Sequence, residues 1–305
     1  MAVEQLGIGI QHNPEISEWF PFEEQDVDVM EVLVDTVMGP LDSPYVVRPG
    51  GQEFIDRLSS KYQLIAHSNY GCEFGFGPLE ETPAVRRHVP LAHAMHSPWV
   101  ADHCFYGDAS WVDLWSSPIQ FSHREAERVG RRARALQELY GIPLAHENAA
   151  YYIRCPGSEL SEAEFLCEML EISGTYLHLD LHNIYTNSLN HPEYDLDELL
   201  DTIPLDRVVE MHLSGGSWDE GLYHDWHDSQ VPEPVWELLE RVLRRSRPGA
   251  VILEFQGRAH HPHTRVMQQE EDLAMIERDI ERAKATWDSV YGPGSRLTTR
   301  QADGS

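Results

Sequence analysis

Basic residues, cysteine pairs and long apolar runs are all scarce in this chain. Lys and Arg total 23 against 51 Asp and Glu, a formal net charge of −28 over 305 residues. A surface this acidic repels phosphate backbones and anionic headgroups, which argues against nucleic-acid and membrane partners. No stretch approaches the ~18 apolar residues of a membrane span. The opening Met1-Ala2-Val3-Glu4-Gln5 lacks the basic and apolar regions of a secretory signal, so a cytoplasmic protein is expected. Cys72, Cys104, Cys155 and Cys167 form no C-x-x-C pair, which removes zinc knuckles and dithiol redox motifs. In a reducing compartment they read as packing residues. Lysine is represented by Lys61 and Lys284, neither at the end of an apolar run.

What the chain has instead is histidine, 17 in all, and a repeated arrangement of it. Eight short apolar runs occur: Leu6–Ile10, Val27–Val34, Tyr62–His67, Pro98–His103, Ile142–Glu147, Tyr176–Asp180, Val208–His212 and Val251–Glu254. From the third onward they end in His67, His103, Glu147, Asp180, His212 and Glu254, and Asp225 and His227 follow the seventh. Helical stretches lie between them: Thr82–Met95, Ser122–Tyr140, Ser161–Ile172, Leu196–Asp201, Pro234–Arg245 and Met267–Ser289. Thr82-Pro83 supplies an N-cap with Pro behind it. Ser122 and Ser161 each stand three residues before Glu, and Gly141 and Gly174 close those helices.

Strand alternating with helix predicts an α/β (β/α)₈ TIM-type barrel, in which strand ends converge on one mouth. A doubly wound sheet would carry a Gly-rich turn after its first strand, where Gly9-Ile10-Gln11-His12 stands here. One barrel domain over 1–290 is expected, followed by a disordered tail over 291–305. The loops Gly71–Glu81, Phe105–Pro118 and Ser214–Pro232 are long enough to shape a pocket.

Period-two alternation tests the ligand reading. His178, Asp180 and His182 share one face with leucines on the other, and Glu210, His212 and Ser214 alternate with apolar neighbours. Inward polar residues on several strands are costly unless paired or metal-bound. Imidazole with carboxylate suits iron, manganese or zinc, and the spacing alone does not separate redox iron from hydrolytic zinc. His146 and His178 read as structural, and His260-His261-Pro262-His263 as a solvated loop. Trp99, Trp111 and Trp115 are candidates for a peptide groove, with packing as the ordinary alternative.

Glu147-Asn148-x-x-Tyr151 and Leu179-Asp180-Leu181-His182-Asn183-Ile184-Tyr185 resemble signatures of the DUF692 family, the multinuclear non-heme iron-dependent oxidative enzymes. Ala66-His67, Ala101-Asp102-His103, Glu210-Met211-His212-Leu213-Ser214-Gly215, Asp225-Trp226-His227 and Leu253-Glu254 match in order, over roughly residues 6 to 275. The resemblance implies a xylose-isomerase-like barrel with two to three irons in mixed ferrous and ferric states. It also implies dioxygen-dependent oxidation of a ribosomally made precursor peptide, commonly at cysteine, and in several members a separate peptide-presenting partner protein. The ligands it implies are His67, His103, Glu147, Asp180, Asn183, His212, Asp225, His227 and Glu254. His12, Asp35, His182, Trp99, Asn148 and Tyr151 are expected around the pocket. Gly9-Ile10-Gln11, Val34-Asp35-Thr36, Gly215-Gly216 and Glu254-Phe255-Gln256 depart from the family's pattern around the ligands, so the substrate is expected to differ from those of characterised branches. The alternative is a manganese- or zinc-dependent sugar isomerase, epimerase or phosphoesterase on a similar barrel. A catalytically silent peptide-binding barrel would lack several of these ligands, and this chain keeps them all.

Overall fold

All eight apolar runs become strands of one closed parallel barrel. The computed structural model describes residues 3–14, 16–40, 45–106, 118–256 and 269–297. The barrel strands are β1 (Gly7–His12), β2 (Val29–Leu33), β3 (Gln63–Ser68), β4 (Val100–His103), β5 (Leu144–Glu147), β6 (Tyr176–Asp180), β7 (Val208–Leu213) and β10 (Ala250–Leu253). They close in the order β1-β10-β7-β6-β5-β4-β3-β2. Around them run α1 (Gly51–Ser59), α2 (Pro83–Ala94), α3 (His123–Tyr140), α4 (Glu162–Ser173), α5 (Leu181–Asn190), α6 (Leu196–Thr202), α7 (Glu233–Leu243) and α8 (Gln269–Tyr291). The antiparallel hairpin β8 (Ser217–Asp219) and β9 (Leu222–His224) occupies the long loop after β7.

The helix punctuation acts as its chemistry requires. Ser161 accepts from the Glu164 N–H while the Glu164 carboxylate accepts from the Ser161 N–H, and Gly141 and Gly174 end their helices at φ +67° and +71°. Helices α1 and α5 are additions to the sequence reading. Helix α5 starts directly after Asp180, whose carboxylate caps it by accepting from the Asn183 N–H at 2.8 Å. Strand alternation therefore stops at Asp180, and His182 does not share its face as expected.

Outward side chains of the strands bury against the helices in one large apolar cluster that includes Ile8, Ile10, Met30, Leu64, Leu177 and Met211. Inward chains at the N-terminal end form a second cluster of Leu6, Val29, Ile65, Trp99, Ala145, Val209, Ala250 and Ile252. This apolar floor leaves the C-terminal half of the barrel for polar groups. Gly249 is needed at its edge, because a Cβ there would lie 2.5 Å from the Trp99 ring. Cys72 and Cys104 are buried and the other two partly so, all as free thiols. Among the described residues no helix is long and apolar enough to cross a membrane.

Only the first part of the expected tail is described. Residues 292–297 fold back beneath the barrel, while 298–305 lie outside the described residues. Arg296 bridges Asp28 at 3.0 Å and Asp288 at 3.1 Å, and the Leu297 N–H donates to the Leu6 carbonyl at 2.8 Å. Asp28 is buried and also accepts from the Ile8 N–H, so removing its cation strands a buried carboxylate. Arg296→Ala is expected to destabilise the protein by about 2 kcal/mol in urea unfolding. An unchanged midpoint and slope would show that the tail merely rests on the barrel.

Candidate metal centre

Above the apolar floor the inward positions turn polar on nearly every strand. Gln11 comes from β1, Glu31 from β2, His67 from β3, His103 from β4, Glu147 from β5, His178 and Asp180 from β6, Glu210 and His212 from β7, and Glu254 follows β10. Each strand offers every second residue to the interior, so one closed ring of parallel strands gathers these groups without any special loop.

Three groups of donors result, each with ligand atoms within 4.8 Å of one another: Glu31, His67, His178 and His212; His67, His103 and Glu147; and Glu147, Asp180, His212 and Glu254. Glu147 joins the last two. Its Oε2 lies 2.8 Å from His103 Nδ1 and 3.2 Å from His67 Nε2, and its Oε1 lies 3.3 Å from His212 Nδ1. His212 Nδ1 is also 2.9 Å from Glu254 Oε2. Close as these atoms are, Glu147 Oε2, His212 Nδ1, Glu254 Oε2 and Asp180 Oδ2 are buried without a hydrogen-bond partner. Lone pairs aimed at a common point rather than along N–H bonds are what a set of metal ligands presents.

Charge follows the same logic. Burial opposes ionisation of His67 and His212, but Glu31 and Glu147, with Glu254 beside His212, outweigh it and hold both rings well above the usual imidazole range. Burial works against Glu147 as well, and the surrounding histidines nonetheless keep it well below the carboxylate range. Burial and then Asp225 push Asp180 well above it. A cation would relieve all of these at once.

Asp225 and His227 stand at the rim, delivered by the β8–β9 hairpin. Glu220 and Gly221 turn that hairpin at φ +47° and +86°, and Asn190 of α5 pins it through both backbone groups of Tyr223. His227 sits at φ +51°, a conformation few L residues adopt, with its Nε2 2.8 Å from Asp225 Oδ1 and 3.8 Å from Glu254 Oε2. Against the cost of burial, Asp225 raises the His227 ring to about 10. Asn183 turns its unpartnered Oδ1 toward the same region. Over all this opens a cavity of about 720 Å³, lined by His103, Glu147, Asn183, Asp225, His227 and Glu254 and by the aromatic groups of Phe105, Tyr152, His224 and Trp226.

Residues 5–277 match the family described as RiPP precursor modification enzyme MbnB/TglH/ChrH, enzymes that act on ribosomally made peptide precursors. The chain belongs to this family. A relative named UPF0276 protein, from Caulobacter vibrioides, is 30% identical over 82% of this chain and 86% of its own length. Another UPF0276 protein, from Streptomyces avermitilis, is 29% identical over 91% of this chain and 56% of its own. Among solved structures, a xylose isomerase domain containing protein from Salmonella typhimurium superposes with a TM-score of 0.61 at 14% identity, covering 94% of this chain and 99% of that one. A D-psicose 3-epimerase from Clostridium cellulolyticum gives 0.55 at 12% identity, over 93% and 98%. At that identity these two establish the xylose-isomerase-like barrel and nothing of its chemistry.

Within this family member, six sequence-derived positions around the pocket resolve differently. Asp35 does not line the cavity itself but accepts from Asn69, which does and whose other amide atom meets His103 at 3.0 Å. His182 is a support: its Nδ1 lies 2.7 Å from Asp225 Oδ1. Asn148 clips β5 to β6, exchanging two hydrogen bonds with the Asp180 backbone. Trp99 is a correction, since it belongs to the floor and donates its Nε1–H to Glu210 at 2.7 Å. Trp111 and Trp115, like the His260–His263 cluster, lie outside the described residues. His12 is a correction too. It alternates with Gln11, so it faces the helix layer between Phe22 and Phe54, where burial lowers it to about 4. Tyr151 turns away to pack on Phe121 and His191, and its neighbour Tyr152 lines the cavity instead. His146 lies outside the barrel, between Glu73 and Thr175 at 2.7 Å each.

Proposed function

We propose that this enzyme oxidises a ribosomally made precursor peptide, at cysteine in the first instance, using dioxygen and two to three iron ions. The observation that carries this reading is the set of buried, unpartnered imidazole and carboxylate atoms converging beneath an open cavity in a peptide-modifying family. The residues fit such ions: mixed nitrogen and oxygen donors with no thiolate pair suit redox iron. His67, His103 and Glu147 would hold one, Glu147, Asp180, His212 and Glu254 a second, and Asn183, Asp225 and His227 a third. Bound iron supplies one-electron chemistry and activation of dioxygen.

The rest falls to the chain's own residues. Glu147 ties two groups together, so its carboxylate sets their spacing. His182 holds the Asp225 carboxylate in place for the rim group. Tyr152, His224 and Trp226 offer flat apolar faces at the mouth; the latter two stack at 4.3 Å between centroids, as a ledge for a peptide side chain. The apolar floor keeps water from beneath the reacting groups. A cytoplasmic setting and a separate partner that presents the peptide complete the proposal.

Protein expressed in iron-57 medium is the test. About two to three irons per chain, giving both ferrous and ferric Mössbauer signals, is the expected result. Stoichiometric zinc or manganese that survives anaerobic iron reconstitution would overturn it.

A further inference from the structure

We infer that the barrel holds a second, deeper transition-metal site, made by Glu31, His67, His178 and His212 below the open one. The inference shares His67 and His212 with the reading above, but its other two residues play no part there. All four are fully buried, and each offers an atom within 4.8 Å of the others. None of them lines the cavity at the mouth.

His178 is the deciding residue. Both of its ring nitrogens are buried without a hydrogen-bond partner, although every imidazole carries at least one N–H that needs an acceptor. It packs edge-on against His212, with ring centroids 3.9 Å apart. Its closest carboxylate is Glu210, at 3.7 Å from Nδ1, and Trp99 donates to that same Glu210 oxygen. A histidine with one nitrogen toward a carboxylate and the other toward further donors is the usual setting of a ligand with its supporting group.

His67 and His212 each face two ways. His67 turns Nε2 upward to Glu147 and Nδ1 downward to Glu31 Oε2, at 2.9 Å. His212 turns Nδ1 upward to Glu254 and Nε2 downward to the same Glu31 oxygen, at 3.2 Å. With protons on the lower nitrogens, Glu31 is an anchor for two rings. With those protons displaced, the two nitrogens, Glu31 and His178 make a three-nitrogen, one-oxygen set for a divalent ion such as zinc, cobalt or ferrous iron. Loading both levels would leave each shared ring bridging two ions, stripped of every proton its nitrogens carried. Four protein donors, all buried and none lining the cavity at the mouth, make this a closed site, one that balances buried charge rather than meeting substrate.

Anomalous diffraction from cobalt-loaded crystals of the full chain would decide it. A peak among the four residues is expected, with others near Glu147. Peaks near Glu147 alone would overturn the deep site and leave the proposed function standing. A deep peak alone would support the inference and count against that function, and no peak at either level would overturn both. In solution, His178→Leu is expected to bind one ion fewer per chain than wild type, and equal content in the two folded proteins would overturn the inference.

Discussion

Glu147→Gln is expected to lower metal affinity by at least ~100-fold and to leave no measurable peptide modification, since loss of a mere supporting group already costs ~10–100-fold. The amide keeps the shape of the side chain but loses its charge and one acceptor. Both losses fall on two donor groups, because the carboxylate reaches His67 and His103 with one oxygen and His212 with the other. The variant would also leave the positive charge of the bound ions with one carboxylate fewer to balance it. Metal content after dialysis against a chelator, beside mass spectrometry of the peptide, checks both halves. Wild-type metal retention in this variant would remove Glu147 from the centre.

The second large effect concerns stability rather than chemistry. His88 on α2 is fully buried against Tyr70, and neither ring nitrogen has a hydrogen-bond partner. Burial, with Arg87 adding to it, lowers this imidazole to about 3. The unfolded chain therefore takes up a proton near pH 6.5 that the folded chain refuses until about pH 3. Stability is at its full value above pH 6.5 and falls with pH across that window. At ~1.4 kcal/mol per unit the loss from this one ring approaches ~5 kcal/mol across the whole window. His12, lowered to about 4, adds to it in the same direction. Melting temperatures measured from pH 7 to pH 4 should drop steeply for wild type and much less for His88→Leu. Parallel curves for the two proteins would place the acid sensitivity elsewhere.

The barrel was legible because a buried parallel strand reads as an apolar run and its last inward residue is free to be polar. His67, His103, Glu147 and Asp180 stand at such ends, so the rim of the cup could be read in order. Glu31 escaped that reading because it sits inside its run, whereas alternation already set His178 beside Asp180 and Glu210 beside His212, and His178 was read as structural. A lone carboxylate in Val29-Met30-Glu31-Val32-Leu33 was the available signal, and its inward parity would have placed it beside His67. Parity also predicts that His12 faces away, once Gln11 is taken as inward. Tyr151 and Tyr152 could not be separated this way, because the segment after β5 has no period. His182 was misplaced for a different reason: Asp180 ends a strand and caps a helix at once, and that change of period leaves no trace in the alternation of leucine and histidine.

The closed underside of the barrel imposes an order on traffic. Leu297 packs onto the floor from below, Trp99 fills it from within, and Arg296 fastens the tail across it. Among the described residues the cup is thus a cul-de-sac, and whatever enters must leave by the same door. A peptide seated on the Tyr152–His224–Trp226 ledge would stand in that doorway, so any smaller reactant has to be inside first or slip past it. The structure thereby favours the smaller reactant entering ahead of the peptide, and a peptide that binds too well would slow its own turnover.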